Sequence, residues 1–327
     1  MNNQLEINCS SRRMDGLKSQ LFQSLDRQSV SVESTGTCVN RFTDSSSAMV
    51  GTINFIYSRE IDHFLHVIFV LTEITPVILT LNEAANIGRS LERLAWARRV
   101  VIVDSHSTDG TLAIARKFPN VDIFQRVFDG HARQWSFAVE ETGIATDWIL
   151  RLDADYLVEP ELRDELAALP SKSDTAAYEI AFTYCIEGKP LRGSLYAPQP
   201  VLFRRGAAHF VQDGHTEKIH PTGPVVRLEG RLLHDDRKSF AHWFKSQKRY
   251  QVQEAVKLTT LPWRELGWPD RIRRTRLLGP PAVAVHCLFT KGLLFDGKPG
   301  LVYTTQRLIA ELLLSFYLLR GDFSGKR

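Results

Sequence analysis

Hydrophobic and polar positions in the middle of the chain follow two alternating patterns. Largely apolar runs within residues 74–81, 98–104 and 147–155 predict buried strands. Between the first two runs, apolar side chains from Ile87 to Leu94 recur at helical spacing. Strands that alternate with helices in this way indicate an α/β fold, with a mostly parallel sheet that is covered by helices on both faces.

The alternation weakens in the second half of the chain. There the pattern predicts further strands within residues 175–205, a pair of strands within 223–234 and a helix over 239–258. Residues 1–70 are rich in Ser, Asn, Gln and Thr and keep no regular period, which is typical of disorder or of an extension that the working protein lacks. The predicted organisation is an N-terminal extension (1–70), an α/β domain (71–240) and a basic and apolar helical region (241–327).

Composition and charge exclude several classes of protein. The formal net charge is +4 over 327 residues, and no basic stripe is interleaved with aromatic residues, so we expect no nucleic-acid partner. The four cysteines form no Cys-x-x-Cys pair, which favours reduced thiols in a cytoplasmic protein. No apolar run reaches the roughly 20 residues of a membrane span. The missing Gly-x-Gly-x-x-Gly and Gly-x-Ser-x-Gly motifs argue against a dinucleotide-dependent oxidoreductase and a serine hydrolase.

Acidic residues follow three of the predicted strands. Asp153 and Asp155 are two positions apart in a strand and therefore share a face, while Asp104 and Glu83 follow the two earlier strands. In a parallel sheet these strand ends meet at the edge where ligands bind. Two carboxylates there suit Mg²⁺ or Mn²⁺, which bind through one or two carboxylates plus substrate phosphates. Two solvated acids in a turn, and simple helix capping after Asp104, remain the alternatives.

Three segments, in this order and spacing, resemble family 2 glycosyltransferases of the GT-A fold. They are ILTLNEAANIGRSLERL, VVIVDSHSTDGT and DWILRLDAD, and the resemblance runs from about Ile74 to Leu166. It implies an inverting transfer from a nucleotide-activated sugar donor, with uridine diphosphate (UDP) favoured as the carrier. We therefore expect a nucleotide-sugar donor and a divalent cation.

The resemblance also implies roles for individual residues. Glu83 and Asp104 match nucleoside contacts. Asp153 matches a residue near the ribose and the metal, and Asp155 matches the direct metal ligand. The segment HARQWSFA is similar to the helix on the diphosphate side, with Arg133 as its cation.

The second half of the chain has a narrower resemblance. VQDGHTEKI, LLHDDRKSFAHWFKSQKRYQVQEA and the closing segment from Phe289 to Arg320 are similar to transferases that build lipopolysaccharide core and related surface glycans. This implies a lipopolysaccharide-type or other lipid-linked acceptor. His234 is either a third metal ligand or a strand-end histidine that bonds to Asp235 or Asp236.

An inverting transfer needs a general base to take the proton of the acceptor hydroxyl. Glu217, from the sequence His215-Thr216-Glu217, is the first candidate, and Asp213 is the second. The alternative for Glu217 is a surface ion pair with Lys218.

Arginines lie beside tryptophans in the C-terminal region. This composition suits the surface of an anionic membrane, with the tryptophans at the interface, and predicts a protein at the inner face of the cytoplasmic membrane. An ordinary solvated basic helix is the alternative. The residues concerned are Arg271, Arg273, Arg274, Arg276, Trp263 and Trp268.

Two other functions remain open at the level of sequence. A polyprenyl-phosphate glycosyltransferase of the same fold would transfer sugar to a phosphate and would not need a base such as Glu217. A non-catalytic scaffold that binds a sugar nucleotide or a glycan would have kept the fold alone, although the intact Asp153 and Asp155 argue against it.

Overall fold

The computed structural model describes residues 70–170, 173–213 and 216–321, and every structural statement below concerns these residues. The predicted N-terminal extension before Val70 and His215 of the proposed base motif lie outside them. The strands are β1 (Ile74–Thr80), β2 (Val100–Asp104), β3 (Val121–Gln125), β4 (Trp148–Asp153), β5 (Tyr156–Val158), β6 (Ala177–Ile186), β7 (Lys189–Pro190), β8 (Gln199–Arg204), β9 (Ala208–Asp213), β10 (Thr216–Pro221) and β11 (Val225–His234). The α-helices are α1 (Ile87–Glu92), α2 (Thr111–Ala115), α3 (His131–Glu140), α4 (Pro160–Ala167), α5 (Phe240–Thr260), α6 (Trp268–Arg274), α7 (Gly279–Val285) and α8 (Lys298–Arg320).

The main sheet has the strand order β3-β2-β1-β4-β8-β6-β11-β5, with β7 paired to β6. The first four strands in this order are parallel, β8 is antiparallel to both neighbours, and β6 and β11 are parallel again. β5 is antiparallel to β11 at the far edge. The carboxyl ends of β1, β2 and β4 therefore open on one edge of the sheet.

Apolar residues of the parallel strands alternate between two hydrophobic cores. Ile78 and Ile102 pack with Leu91 of α1 on one face. Val77 packs with Trp135 of α3 on the other. These strands are largely apolar because successive side chains point to opposite faces and both faces are buried. This arrangement confirms the predicted α/β class, a mostly parallel sheet with helices on both faces.

The second half of the sheet differs from the sequence prediction in one strand. Residues 225–234 form a single strand rather than a pair, with a register shift between Arg227 and Arg231. Inside the shift, the amides of Glu229 and Gly230 donate to Oε1 and Oε2 of Glu165, at 2.9 and 2.7 Å. A helix side chain thus satisfies the amides that the irregular strand leaves unpaired, which periodicity cannot reveal.

A separate two-stranded hairpin, β9–β10, was not predicted. Its Phe210 stacks on Trp135 of α3 with ring centroids 5.9 Å apart, and its Ile219 packs against the same core. The hairpin and α3 therefore cover the same face of the main sheet.

The C-terminal region is helical, as predicted. Leu258 of α5 packs with Leu314 and Leu318 of α8, while Tyr303 of α8 packs with Tyr184 of β6. Within the described chain, no helix combines the length and the apolar character that a membrane crossing requires. The C-terminal helices are thus joined to the sheet by apolar packing.

Candidate active site

The loops after β1 and β2 are held together by side-chain hydrogen bonds. The amide of Asn82 donates to Ser107 Oγ at 2.8 Å, and Asn82 Oδ1 accepts from the amide of Thr108 at 2.8 Å. The amide of Ala84 donates to Asp109 Oδ2 at 3.1 Å. Asn82 has a left-handed backbone with φ of 57°, a conformation that asparagine tolerates better than most residues. The two loops therefore form one rigid rim.

Asp104 lies beneath this rim and is fully buried. Its carboxylate accepts from Thr80 Oγ1 at 2.9 Å, from the Ser107 amide at 2.8 Å and from Gln125 Nε2 at 3.3 Å. These bonds join the ends of β1, β2 and β3. The observed bonds of Asp104 are thus internal, and its nucleoside contact stays a prediction.

Asp155 and His234 meet at the end of the sheet. Asp155 Oδ2 lies 3.3 Å from His234 Nε2, and both side chains are largely buried. The pairing of β5 with β11 places His234 opposite Tyr156, and in the sheet two strands, β8 and β6, lie between β4 and β11. The predicted alternative for His234, a bond to Asp235 or Asp236, is not what the structure shows.

Two buried atoms of this pair have no hydrogen-bond partner among the described residues. They are Asp155 Oδ1 and His234 Nδ1. A buried carboxylate oxygen without a donor is costly unless a cation or water satisfies it. The donor set therefore fits a divalent cation. No three His, Cys, Asp or Glu side chains within the described ranges come close enough to hold a metal by themselves, so substrate oxygens would have to complete the coordination.

The two acids of the Asp-x-Asp segment have pKa values that are shifted in opposite directions. Burial acts to raise the pKa of Asp155, but His234 and then Lys238 hold it below its ordinary value. Asp153 is exposed at the rim, but the surrounding protein shields its other sides from water, and this raises its pKa. The negative charge of Asp155 raises the pKa further. Asp155 is therefore the more strongly ionised of the two.

A lysine that the sequence analysis missed lies at the centre of the remaining acids. Lys238 Nζ is 2.5 Å from Glu83 Oε1 and 3.8 Å from Asp236 Oδ2. Burial raises the pKa of Glu83 to about 7, against the opposing charge of Lys238. Burial acts to lower the pKa of Lys238, but the neighbouring carboxylates, Glu83 first, raise it above its ordinary value.

The fully buried Asn86 joins this cluster to α1. Its Nδ2 donates to Glu83 Oε2 and to Asp236 Oδ1, each at 2.9 Å. Next to it, Arg89 and Arg237 both bond to the carboxylate of Asp235, with Arg89 Nη1 at 2.8 Å and Arg237 Nε at 2.9 Å. The short loop after β11 is thereby held against the start of α1. Only the charge-rich run HDDRK could have hinted at this contact.

Glu217 lies on the other side of the site. It is buried and forms an ion pair with Arg151 of β4, and its Oε2 is 3.8 Å from His131 Nδ1. The charges of Arg151, Glu217 and His131 all act on Asp153. The structure therefore brings Glu217 into the neighbourhood of Asp153. The ion-pair partner of Glu217 is Arg151, and not Lys218 as in the alternative interpretation.

Asp213 and Arg133 have other partners. Asp213 accepts ion pairs from Lys218 at 2.7 Å and from Lys257 of α5 at 3.0 Å. Burial opposes them, but these two lysines hold the pKa of Asp213 below its ordinary value. Arg133 is largely exposed and lies 3.4 Å from Asp129. Arg133 is thus at the surface and Asp213 is half-buried, and their roles in donor binding and catalysis remain predictions.

Comparison with known proteins decides the family. The model of the family described as glycosyl transferase family 2 matches residues 75–219. The lipopolysaccharide core biosynthesis glycosyltransferase LpsC of Rhizobium meliloti (strain 1021) is 31% identical over 245 residues, which cover 70% of this chain and 85% of LpsC. The chain belongs to glycosyl transferase family 2. The family predicted from the sequence and its glycosyltransferase activity are thereby confirmed.

Other relatives of this family 2 glycosyltransferase match over shorter stretches or at greater distance. An uncharacterized glycosyltransferase of Rickettsia bellii (strain RML369-C) is 40% identical over 95 residues, which span 29% of this chain and 31% of that protein. The crystal structure of S. aureus TarS 1-349 in complex with UDP has a TM-score of 0.41 and 14% identity, over 76% of this chain and 92% of that one. The family match and the sheet together confirm the predicted GT-A fold class.

Proposed function

We propose that this family 2 enzyme is an inverting glycosyltransferase that uses a divalent cation and a nucleotide-sugar donor, with UDP as the carrier. The observation that carries the proposal is the unpartnered Asp155 Oδ1 beside His234, at the edge of the sheet where ligands bind. The proposed acceptor is a lipopolysaccharide or another lipid-linked surface glycan. The kinship with LpsC over most of both chains supports this choice.

On the donor side, Asp155 and His234, with Asp153 at the rim, are the residues that would hold Mg²⁺ or Mn²⁺. Such a cation neutralises the charge that grows on the diphosphate as the sugar leaves. Glu83 and Asp104 are proposed to face the nucleoside. Arg133, exposed on the first turn of α3, is free to turn from Asp129 towards the phosphates of a bound donor.

On the acceptor side, Glu217 is the proposed base and Asp213 the second candidate. The charge of Glu217 raises the pKa of Asp153, so Glu217 lies near the proposed donor site. Asp213 is held by two lysines whose charges disfavour its protonation. In the inverting reaction the acceptor oxygen attacks the sugar carbon, the bond to the diphosphate breaks, and the acceptor proton passes to the carboxylate of Glu217. His131, 3.8 Å from Glu217, could relay this proton to solvent.

A lipid-linked acceptor requires access to a membrane surface, and we propose that the C-terminal helices provide it. Trp268, Leu277 and Phe295 are 76%, 67% and 73% exposed. Arg271 and Arg274 lie over the rings of Trp268 and Trp263, with Cζ 5.6 and 5.8 Å from the centroids. Exposed apolar side chains beside arginines suit an anionic membrane at the cytoplasmic face. Arg273 differs from the sequence expectation, because three carboxylates bind it inside the helical region.

Calorimetric titration with UDP tests the donor site. We expect wild-type protein to bind UDP in the presence of Mn²⁺ and Asp155→Ala to lose the Mn²⁺-dependent part of the binding. Asp164→Ala, which removes an exposed acid on α4, is the matched control and should bind normally. Equal binding by wild type and Asp155→Ala would remove the cation site. If wild type binds none of UDP, GDP and CMP, a non-catalytic scaffold that binds a glycan is favoured instead.

A further inference from the structure

Arg307 of helix α8 lies on the side of the helix that packs towards the candidate active site. The Cζ of Arg307 lies 5.3 Å from the ring centroid of Tyr303. Tyr303 is 4.8 Å from the ring of Tyr184, which in turn is 4.6 Å from the ring of His234. A continuous set of aromatic contacts therefore leads from Arg307 to the histidine beside Asp155.

Tyr184 and Tyr196 lie between two opposite charges. The ring of Tyr196 is 4.5 Å from that of His234 and 5.4 Å from that of Tyr184. The positive charge of Arg307 and the negative charge of Asp155 both act on the hydroxyls of these tyrosines. The arginine and the proposed cation site thus lie on either side of one group of aromatic side chains.

The surroundings of Arg307 are unlike those of the other enclosed arginines. Arg273 is bound by Glu254, Asp270 and Glu311, and Arg151 is paired with Glu217. In the described part of the chain, no carboxylate forms an ion pair with Arg307, and this is what sets it apart. Its buried Nε has no hydrogen-bond partner, which is also true of Arg151 Nε. Removing a guanidinium from water without an anionic partner is costly.

The nearest acid on the same helix does not supply this partner. Glu311, one turn after Arg307, is influenced by the charge of Arg307, but its oxygens bond to Arg273 Nε at 3.0 and 3.3 Å. The groups whose charge acts most on Arg307 are tyrosines and Cys287, which are neutral at physiological pH. Arg307 as a residue is partly exposed, although its Nε is buried.

We propose that Arg307 binds a phosphate group of a substrate and that helix α8 is thereby a part of the active site. A planar guanidinium binds phosphate through two parallel hydrogen bonds, which makes arginine well suited to this role. The phosphate belongs either to the diphosphate of the donor or to a phosphorylated acceptor. The proposal rests on the proposed glycosyltransfer at Asp155 and His234 and extends its site to the C-terminal helices.

Titrations of Arg307→Gln with three probes separate the two sources. The probes are UDP with Mn²⁺, uridine, and inorganic phosphate added to protein saturated with UDP and Mn²⁺, with the last followed by phosphorus NMR. A loss of UDP affinity of about tenfold or more, with uridine unaffected, assigns Arg307 to the donor diphosphate. Unchanged UDP binding with lost binding of inorganic phosphate assigns it to the acceptor. Unchanged binding of both probes overturns the proposal.

Arg273→Gln is the matched control, because it also removes an enclosed arginine of the C-terminal helices. It should lower the melting temperature and leave all three affinities unchanged, and a loss of phosphate affinity in Arg273→Gln as well would overturn the assignment to Arg307. If Arg307→Gln does not fold, Arg307→Lys decides, since it keeps the charge and loses the paired hydrogen bonds. Weaker phosphate binding by the folded lysine variant supports the proposal, and unchanged binding overturns it.

These probes keep the two proposals apart. Wild-type protein that binds no nucleotide at all would contradict the proposed donor. Inorganic phosphate could then be titrated without UDP, and its loss in Arg307→Gln would still support an anion site at Arg307. Equal binding by wild type and variant would overturn that site independently of the donor.

Discussion

At the scale of single residues, the positive charge of Lys238 stabilises a cluster of carboxylates beside α1. It contacts Glu83 and Asp236 directly, and its charge helps to keep Asp155 ionised. Glu83 was found from the sequence because a family motif contains it. Lys238 follows β11, far away in the chain, and no periodic pattern connects the two. Sequence could therefore supply the acids of this cluster and not the cation that makes the cluster stable.

Substituting Lys238 tests this balance. We expect Lys238→Met to lower the free energy of unfolding by about 3 kcal/mol, because it leaves a largely buried carboxylate without its partner. The double variant Lys238→Met/Glu83→Gln should recover much of this loss, since it removes the unpaired charge as well. Urea unfolding measures both. A double variant as unstable as the single one would show that Glu83 is not the group that depends on Lys238.

The choice of base is also a question about single residues. Glu217→Gln should lower turnover by about 10²–10⁴-fold, because the amide cannot take the acceptor proton. Its affinity for UDP should stay close to that of wild type. The measurement is transfer of labelled sugar to a membrane glycolipid fraction, together with the calorimetric UDP titration.

Asp213→Asn is the control for this prediction, since it removes an acid from the same hairpin and leaves Glu217 in place. We expect it to keep most of the turnover. A large loss in Asp213→Asn with normal turnover in Glu217→Gln would exchange the two assignments. Normal turnover in both variants would favour transfer to a phosphate, which needs no such base.

At the scale of elements, the predictable parts are those that are buried on both faces. β1, β2 and β4 have largely apolar runs because two cores enclose them, and their ends locate Glu83, Asp104 and Asp153. The β9–β10 hairpin escaped prediction because only one of its faces packs against the protein, and its exposed face carries mixed residues. The partner of Glu217 was missed with it, since Arg151 belongs to a strand of the other sheet.

Helix α8 is positioned by a close contact at its first turn. A Cβ placed on Gly300 would lie 1.9 Å from the carbonyl oxygen of Leu293, in the short helical turn Leu293–Asp296 that precedes α8. We expect Gly300→Ala to lower the free energy of unfolding by about 1–3 kcal/mol or more, since the backbone must shift. Gly267→Ala is the control, because its Cβ would lie 3.8 Å from the nearest atom, Pro269 Cδ. Equal stability of the two variants in urea would contradict the contact.

At the scale of the whole molecule, the proposed three-part organisation assigns separate tasks to separate stretches. Residues 71–240 are proposed to carry the donor site, residues 241–327 to reach the membrane, and residues 1–70 to be dispensable. The described residues from Val70 to Gly321 belong to one unit, and α8 packs against both α5 and β6. Because of this packing, we do not expect the C-terminal region to be removable without damage to the sheet.

Membrane contact can be tested on the intact chain by flotation with vesicles that contain anionic lipid. Trp268→Ser/Leu277→Ser should reduce binding by at least about tenfold, since each apolar side chain of this size contributes about 1.5 kcal/mol or more when buried. Val127→Ser is the control, because Val127 is equally exposed (71%) but follows β3. High salt should weaken the binding of all variants. Equal flotation of the double variant and the control would exclude this surface.

The strand order has a consequence for the order in which the protein is made. Asp155 lies just before β5, and β5 is joined to the sheet through β11. On the ribosome, β5 is therefore synthesised before its partner strand β11. Five further strands, β6 to β10, are synthesised between Asp155 with β5 and His234 at the end of β11. The nascent chain cannot assemble this pair until β11 has been inserted between β6 and β5. Translation thus delays the formation of the site until the sheet is nearly complete.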